Sequence, residues 1–119
     1  MLFRSDTTTT STNYIQKMRL TFTAKENCPY IIRYNTEVYT SNKRRQVSTR
    51  VQIDDTETVH ESNVIPSIEG ANGWGSFSGE YIKTFTEGEH YIDLDFKANG
   101  SSVSTRRSRI VVTEITLGN

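Results

Sequence analysis

From Lys17 onward, apolar and polar side chains alternate with a period of two over most of the chain, the pattern of strands with one buried and one wet face. Met18, Leu20, Phe22 and Ala24 fall on one side of the first such segment; Lys17, Arg19, Thr21 and Thr23 fall on the other. Residues 24–29, Ala-Lys-Glu-Asn-Cys-Pro, read as a turn, and Pro29 restricts the next residues to an edge or a strand start. Ile32, Tyr34, Thr36 and Val38 then alternate with Arg33, Asn35, Glu37 and Tyr39, and Ser41-Asn42-Lys43-Arg44 ends that segment. Val47, Thr49, Val51 and Ile53 make a third strand that stops at the turn Asp54-Asp55.

Between 56 and 72 the pattern weakens. Thr58-Val59-His60-Glu61 suits a short strand, and Val64, Ile65 and Ile68 could plug an end of the domain. The alternation resumes after Trp74 and runs through Phe77, Tyr81 and Phe85 to a turn at Glu87-Gly88. Ile92, Leu94, Phe96 and Ala98 give the cleanest alternation, which puts Asp93 and Asp95 on the wet face. Asn99-Gly100 is a hairpin signal, and a last strand over about 103–117 carries Ile110, Val111, Val112, Ile115 and Leu117. The sum is about seven or eight strands, no helix of useful length and no repeat, at the turn spacings of a sandwich or barrel: an all-β, antiparallel domain, read as a β-sandwich or jelly roll.

The length of 119 residues suits one domain. Residues 1–13, with the run Thr7-Thr8-Thr9-Thr10, read as an extended N-terminal arm, and 14–119 as a single sandwich domain. The arm has too little apolar surface to order itself, yet Leu2 and Phe3 stand at its tip. It is therefore expected to be mobile in a monomer and ordered against a neighbour. Hydrophobic residues are only 34% of the chain, a thin core that suits a sandwich with wet outer faces or a subunit supported by its neighbours. Basic and acidic residues balance at 14 each, so no overall field draws the chain to nucleic acid or an anionic membrane. A lone cysteine, Cys28, suits a reducing compartment. The start Met1-Leu2-Phe3-Arg4 has no apolar signal core, and no apolar run is long enough to span a membrane. The expectation is a soluble chain made in a cytoplasm.

Candidate chemistry is sparse. His60 lies near Asp54, Asp55, Glu57 and Glu61, but the spacing matches no calcium loop, and a solvated acidic turn accounts for it. His90 has only Glu89 adjacent, which points to the opposite face, so it reads as a structural histidine. Asp93 and Asp95 share a face, and paired carboxylates can serve a glycosidase, but cross-strand ion pairs with Arg106, Arg107 and Arg109 beyond the Asn99-Gly100 turn explain them better. Cys28 sits in no nucleophile signature. No metal, cofactor or catalytic set is expected. Two basic clusters, Lys43-Arg44-Arg45 and Arg106-Arg107-Ser108-Arg109, could bind phosphate or a sulfated sugar, but loop charge or a subunit contact suits them better, because acidic residues elsewhere balance them and no aromatic stacking platform stands nearby. Gly73-Trp74-Gly75-Ser76-Phe77-Ser78-Gly79 is the most distinctive segment. Trp74 between glycines can stack on a sugar ring, with Tyr39, Tyr81 and Tyr91 as further platforms, or can anchor the core.

The two ends of the chain carry a resemblance. Thr7-Thr8-Thr9-Thr10-Ser11-Thr12-Asn13-Tyr14 leads into Leu20-Thr21-Phe22-Thr23-Ala24, a turn and Tyr30-Ile31-Ile32-Arg33-Tyr34. At the back, Gly75-Ser76-Phe77-Ser78-Gly79 and Gly88-Glu89-His90-Tyr91-Ile92-Asp93-Leu94-Asp95-Phe96 precede an arginine-led final strand, Arg107-Ser108-Arg109-Ile110-Val111-Val112-Thr113-Glu114-Ile115. In this the chain resembles small β-sandwich virion proteins of tailed bacteriophages, in decoration, collar, tail or fibre domains with jelly-roll or tumour-necrosis-factor-like folds. The resemblance implies a structural subunit located in the virion, partnered with other virion proteins and assembled as a homo-oligomer, a trimer by preference. Leu2, Phe3, Arg44, Arg45, Arg106 and Arg107 are the expected assembly contacts. The alternative is a carbohydrate- or receptor-binding module of a tail or fibre, stacking a surface glycan on Trp74 and the tyrosines.

Overall fold

The computed structural model describes the backbone of residues 2–3 and, with side chains, residues 6–41, 46–64 and 74–116. Within them the chain forms nine strands: β1 (Leu2–Phe3), β2 (Thr7–Thr9), β3 (Ile15–Ala24), β4 (Pro29–Thr40), β5 (Val47–Ile53), β6 (Glu57–Val64), β7 (Gly75–Thr84), β8 (Gly88–Lys97) and β9 (Val103–Glu114). Every pairing is antiparallel. Four of the pairs are nested: β5 with β6, β4 with β7, β3 with β8, and β2 with β9. The chain is one long hairpin folded over itself. The further pairings β4 with β9 and β5 with β8 close it into two sheets, β1/β2-β9-β4-β7 and β3-β8-β5-β6. The fold is therefore a jelly roll, an antiparallel β-sandwich.

The apolar faces read from the alternation meet between the sheets. Ile32, Tyr34 and Val38 from β4, Val47, Val51 and Ile53 from β5, and Ile92, Leu94 and Phe96 from β8 are buried. The core has a larger cluster around Ile32, Leu94 and Phe77, and a smaller one of Val38, Val47, Phe96, Ala98 and Val103. Phe22, Tyr30 and Phe85 pack edge to face in the larger cluster, with ring centroids 5.0–6.1 Å apart. Thr49 and Thr105 also face inward, and their hydroxyls have no partner among the described residues.

Turn chemistry explains two connections. Asp54 and Asp55 both have positive φ, and the Thr56 amide donates to the Ile53 carbonyl at 3.1 Å, the geometry of a hairpin turn of the I′ kind. Asn99-Gly100 departs from expectation. It joins β8 of one sheet to β9 of the other, so no hairpin forms there. Short-range turn signals specify a reversal, and the sheet that receives the next strand is decided by long-range packing.

The arm is extended and lies on its own chain. Thr7, Thr8 and Thr9 pair with Thr105, Ser104 and Val103, and Leu2 and Phe3 pair with Arg109 and Ser108. Lys17 reaches from a bulge in β3 to the Thr7 hydroxyl at 2.7 Å, joining the two sheets at this edge. Burial lowers the Lys17 pKa.

Candidate functional site

The two outer faces of the sandwich differ. On the β3-β8-β5-β6 sheet, Asp93 and Asp95 point away from the core, as the register requires, yet they are only 4% and 5% exposed. The expectation of a wet face is corrected, because long side chains from neighbouring strands cover both carboxylates. Arg19 on β3 holds Asp93 through two contacts of 2.6 Å and also binds Asp55. Arg50 on β5 holds Asp95 at 2.9 Å. The Tyr14 ring lies under the Arg50 guanidinium (4.0 Å) and the Lys97 ammonium (4.5 Å), and its hydroxyl donates to Glu61 at 2.7 Å. Burial and the Glu61 carboxylate push the Tyr14 pKa well up. Burial likewise raises Asp95 despite Arg50. The ion pairs expected with Arg106, Arg107 and Arg109 do not form, since β9 belongs to the other sheet. This face is a neutralised network of paired charges.

The outer face of the other sheet is open. Register sets its side chains in rows across β7, β4 and β9: Ile82-Ile31-Thr113, Glu80-Arg33-Val111, Ser78-Asn35-Arg109 and Ser76-Glu37-Arg106. Tyr39 and Trp74 stand at the far end, with ring centroids 5.4 Å apart. Small residues in the middle of β7 leave a groove. One part, about 510 Å³, is bounded by Arg33, Asn35, Ser78, Glu80, Arg109 and Val111. A second part of about 390 Å³ adds Glu37, Ser76 and Arg107, and shares Asn35 and Ser78 with the first.

A β-bulge shapes the β9 wall. The pairing shifts between Asn35 and Glu37, and Arg107 there has a φ of 50°. The extra residue turns Arg107 outward beside Arg106. Arg106 bonds Glu37 at 2.7 Å, and its guanidinium lies 3.8 Å from the Trp74 ring. Arg107 reaches Glu37 at 3.5 Å. The Arg106 hydrogen bond, with help from Arg107, lowers the Glu37 pKa. Arg33 and Glu80 pair at 3.1 Å. Arg109 is exposed and has no acidic partner among the described residues.

Below the groove, Tyr34 spans the sandwich and its hydroxyl meets His60 Nδ1 at 2.8 Å, while His60 stacks on Phe77 at 4.4 Å. Gly79 lies directly over Tyr34, where a Cβ would come within 2.6 Å of the phenol oxygen. His60 is thus bound into a ring cluster. Among the described residues no group of three metal-ligating side chains occurs. His90 bonds Asp54 at 2.6 Å through Nδ1 and the Thr86 carbonyl at 2.7 Å through Nε2. Cys28 lies 3.3 Å from a Glu114 carboxylate oxygen; burial and that carboxylate raise its pKa, the opposite of what activates a thiol.

Of the four candidate stacking rings, the structure brings together Trp74 and Tyr39 alone. Trp74 is half-buried, so it is neither a core anchor nor a bare platform. Tyr81 sits at the sandwich edge, donating to Glu57 at 3.0 Å beside Lys83. Tyr91 is on the neutralised face, bonded to Glu89 and under Arg19. Arg106 and Arg107 flank the groove. The side chains of Leu2 and Phe3, and all of Arg44 and Arg45, lie outside the described residues. Asn35, Ser76 and Ser78 carry no binding motif of their own; their only signal in the sequence is polar character at outward positions.

No family model and no curated protein matches this chain. Solved structures do match in shape. One is the C-terminal domain of EclA, a sugar-binding protein, at a TM-score of 0.57 and 12% identity, covering 91% of this chain and 78% of that one. At that identity the likeness concerns the fold.

Proposed function

We propose that this domain binds carbohydrate, without catalysis, in the outer groove across β7, β4 and β9. The observation that carries the reading is the groove's composition. Asn35, Ser76 and Ser78 supply amide and hydroxyl groups that can both donate and accept. The guanidiniums of Arg107 and Arg109 supply planar donors, and Trp74 and Tyr39 form an aromatic end. A saccharide needs this combination, since its hydroxyls want paired donors and acceptors while its C–H faces want a ring. The groove is open along its length, so an oligosaccharide fits better than an enclosed small molecule. The sugar-binding EclA domain with this fold supports the same direction. Screening the chain on a glycan array, then titrating the hits calorimetrically, tests it. Ser78 points outward, so Ser78→Tyr fills the groove without entering the core. The expected result is binding by the native chain and its loss in this variant at unchanged thermal stability. Binding unaffected by Ser78→Tyr would move the site elsewhere.

A second reading, a virion subunit acting by assembly, is favoured by one feature. The arm that completes the β9 edge is made of two very short strands, Leu2–Phe3 and Thr7–Thr9, an element that neighbouring subunits readily exchange. Mass photometry of the chain with and without residues 2–12 tests it. A trimer lost on truncation supports assembly, and a monomer in both forms speaks against it.

A further inference from the structure

The arginines on the groove face outnumber the acids that could answer them. The rows across β7, β4 and β9 carry Arg33, Arg106, Arg107 and Arg109, against Glu37 and Glu80 alone. Glu80 is engaged by Arg33. Glu37 is shared, closely with Arg106 and loosely with Arg107. Among the described residues, that leaves Arg109 without an acidic partner and Arg107 weakly held. The chain as a whole is neutral, and its other outer face buries its carboxylates under arginines one for one. Among the described residues, the groove face thus carries more arginines than acids.

The β-bulge sharpens this. A regular β9 would present every second side chain, and Arg106 and Arg107 would point to opposite faces. The shift between Asn35 and Glu37 puts both on the groove side. Arg107 and Arg109 then flank the middle of the groove, and each borders Asn35 and Ser78. A guanidinium fork matches the two oxygens of a carboxylate or sulfate, and the amide and hydroxyl beside it suit the hydroxyls on the same sugar ring.

We infer that the groove selects acidic saccharides, with a carboxylate or sulfate held by Arg109 and Arg107 and the adjoining ring hydroxyls by Asn35 and Ser78. This rests on the carbohydrate reading and narrows it to a ligand class. The amide and hydroxyl of Asn35 and Ser78 beside the guanidiniums suit ring hydroxyls, which favours a glycan over the phosphate backbone of a nucleic acid. Among the described side chains of β7, β4 and β9 on this face, Trp74 beside β7 and Tyr39 are the aromatic ones, too few for the successive stacking platforms of a single-strand binder.

The test uses matched probes: hexagalacturonate and its fully methyl-esterified form, sialyllactose and lactose, and a single-stranded oligonucleotide of equal charge. Each is titrated into the native chain, Arg109→Gln and Arg107→Gln at low and high salt. The inference predicts binding of the acidic member of at least one pair, weakened about tenfold by Arg109→Gln and weakened by salt, with the fold of the variant unchanged by circular dichroism. Binding of the neutral members alone, indifferent to both arginine variants but lost in Ser78→Tyr, would overturn the acidic preference and leave the carbohydrate reading standing. Equal or tighter binding of the oligonucleotide would overturn the glycan assignment. Binding of no saccharide, here or on the wider array, would overturn both.

Discussion

Gly79→Ala is a sharp probe of how the groove is supported. Gly79 has no positive φ, so alanine suits its backbone, and restricting the unfolded chain would by itself stabilise by about 0.4–1 kcal/mol. The added methyl, however, would stand 2.6 Å from the Tyr34 hydroxyl, 3.0 Å from its Cζ and 3.2 Å from His60 Nδ1. Tyr34 is buried and cannot swing away without disturbing its contact with Phe77 at 5.8 Å. Overpacking of this kind costs about 1–3 kcal/mol, and displacing the hydroxyl forfeits the His60 hydrogen bond, about 0.5–1.5 kcal/mol. A net loss of about 2 kcal/mol is expected. Since the nearest clash is with the hydroxyl, Tyr34→Phe should relieve it. Urea denaturation of both single variants and the double variant forms a cycle. The double variant should be less destabilised than the sum of the singles by about 0.5 kcal/mol or more. Strict additivity, or a neutral Gly79→Ala, would refute the argument that Gly79 exists to admit Tyr34.

The same structure fixes other outcomes. Arg19→Met leaves Asp93 buried without its partner; partial exposure of Arg19 sets the cost at about 3 kcal/mol, the lower end for a broken buried pair, read from the denaturation midpoint. Thr105→Val removes a buried hydroxyl that has no partner among the described residues, so calorimetry should show stabilisation of about 1 kcal/mol; a loss would reveal a hidden partner. Burial opposes charging His90, but Asp54 and the Thr86 carbonyl overcome it and raise its pKa above the ordinary 6.5. The charged ring then contributes stability that is fully present below pH 6.5 and is lost as pH rises through the higher folded value. A thermal-midpoint series from pH 5 to 9 should therefore decline in the native chain relative to His90→Gln, and parallel curves would contradict it.

The buried faces were legible because they depend only on parity. Ile32, Tyr34 and Val38, or Ile92, Leu94 and Phe96, alternate whatever the strand order. What parity cannot give is which strands are neighbours. Parity puts Asp93 and Asp95 on the outward side, but Arg19 and Arg50, which cover them, come from strands far away in sequence. The partners expected on β9 are close along the chain, and the crossing at Asn99-Gly100 puts them on the other sheet. The groove was hidden for the same reason. Asn35, Ser78 and Arg109 sit on three strands that are not consecutive, and none carries a local motif. Trp74 was conspicuous, yet its stacking against Arg106 and Tyr39 depends on register alone.

A saccharide held on the open face of the β1/β2-β9-β4-β7 sheet would leave a footprint there, which backbone amide chemical-shift mapping with a glycan selected on the array would read residue by residue. Saturable shifts are expected to centre on Asn35, Ser76, Ser78, Arg107 and Arg109 and to extend toward Tyr39 and Trp74, with Arg19, Asp93 and Asp95 on the opposite sheet unmoved. Shifts confined to that opposite face or to the turns at the ends of the sandwich would contradict it.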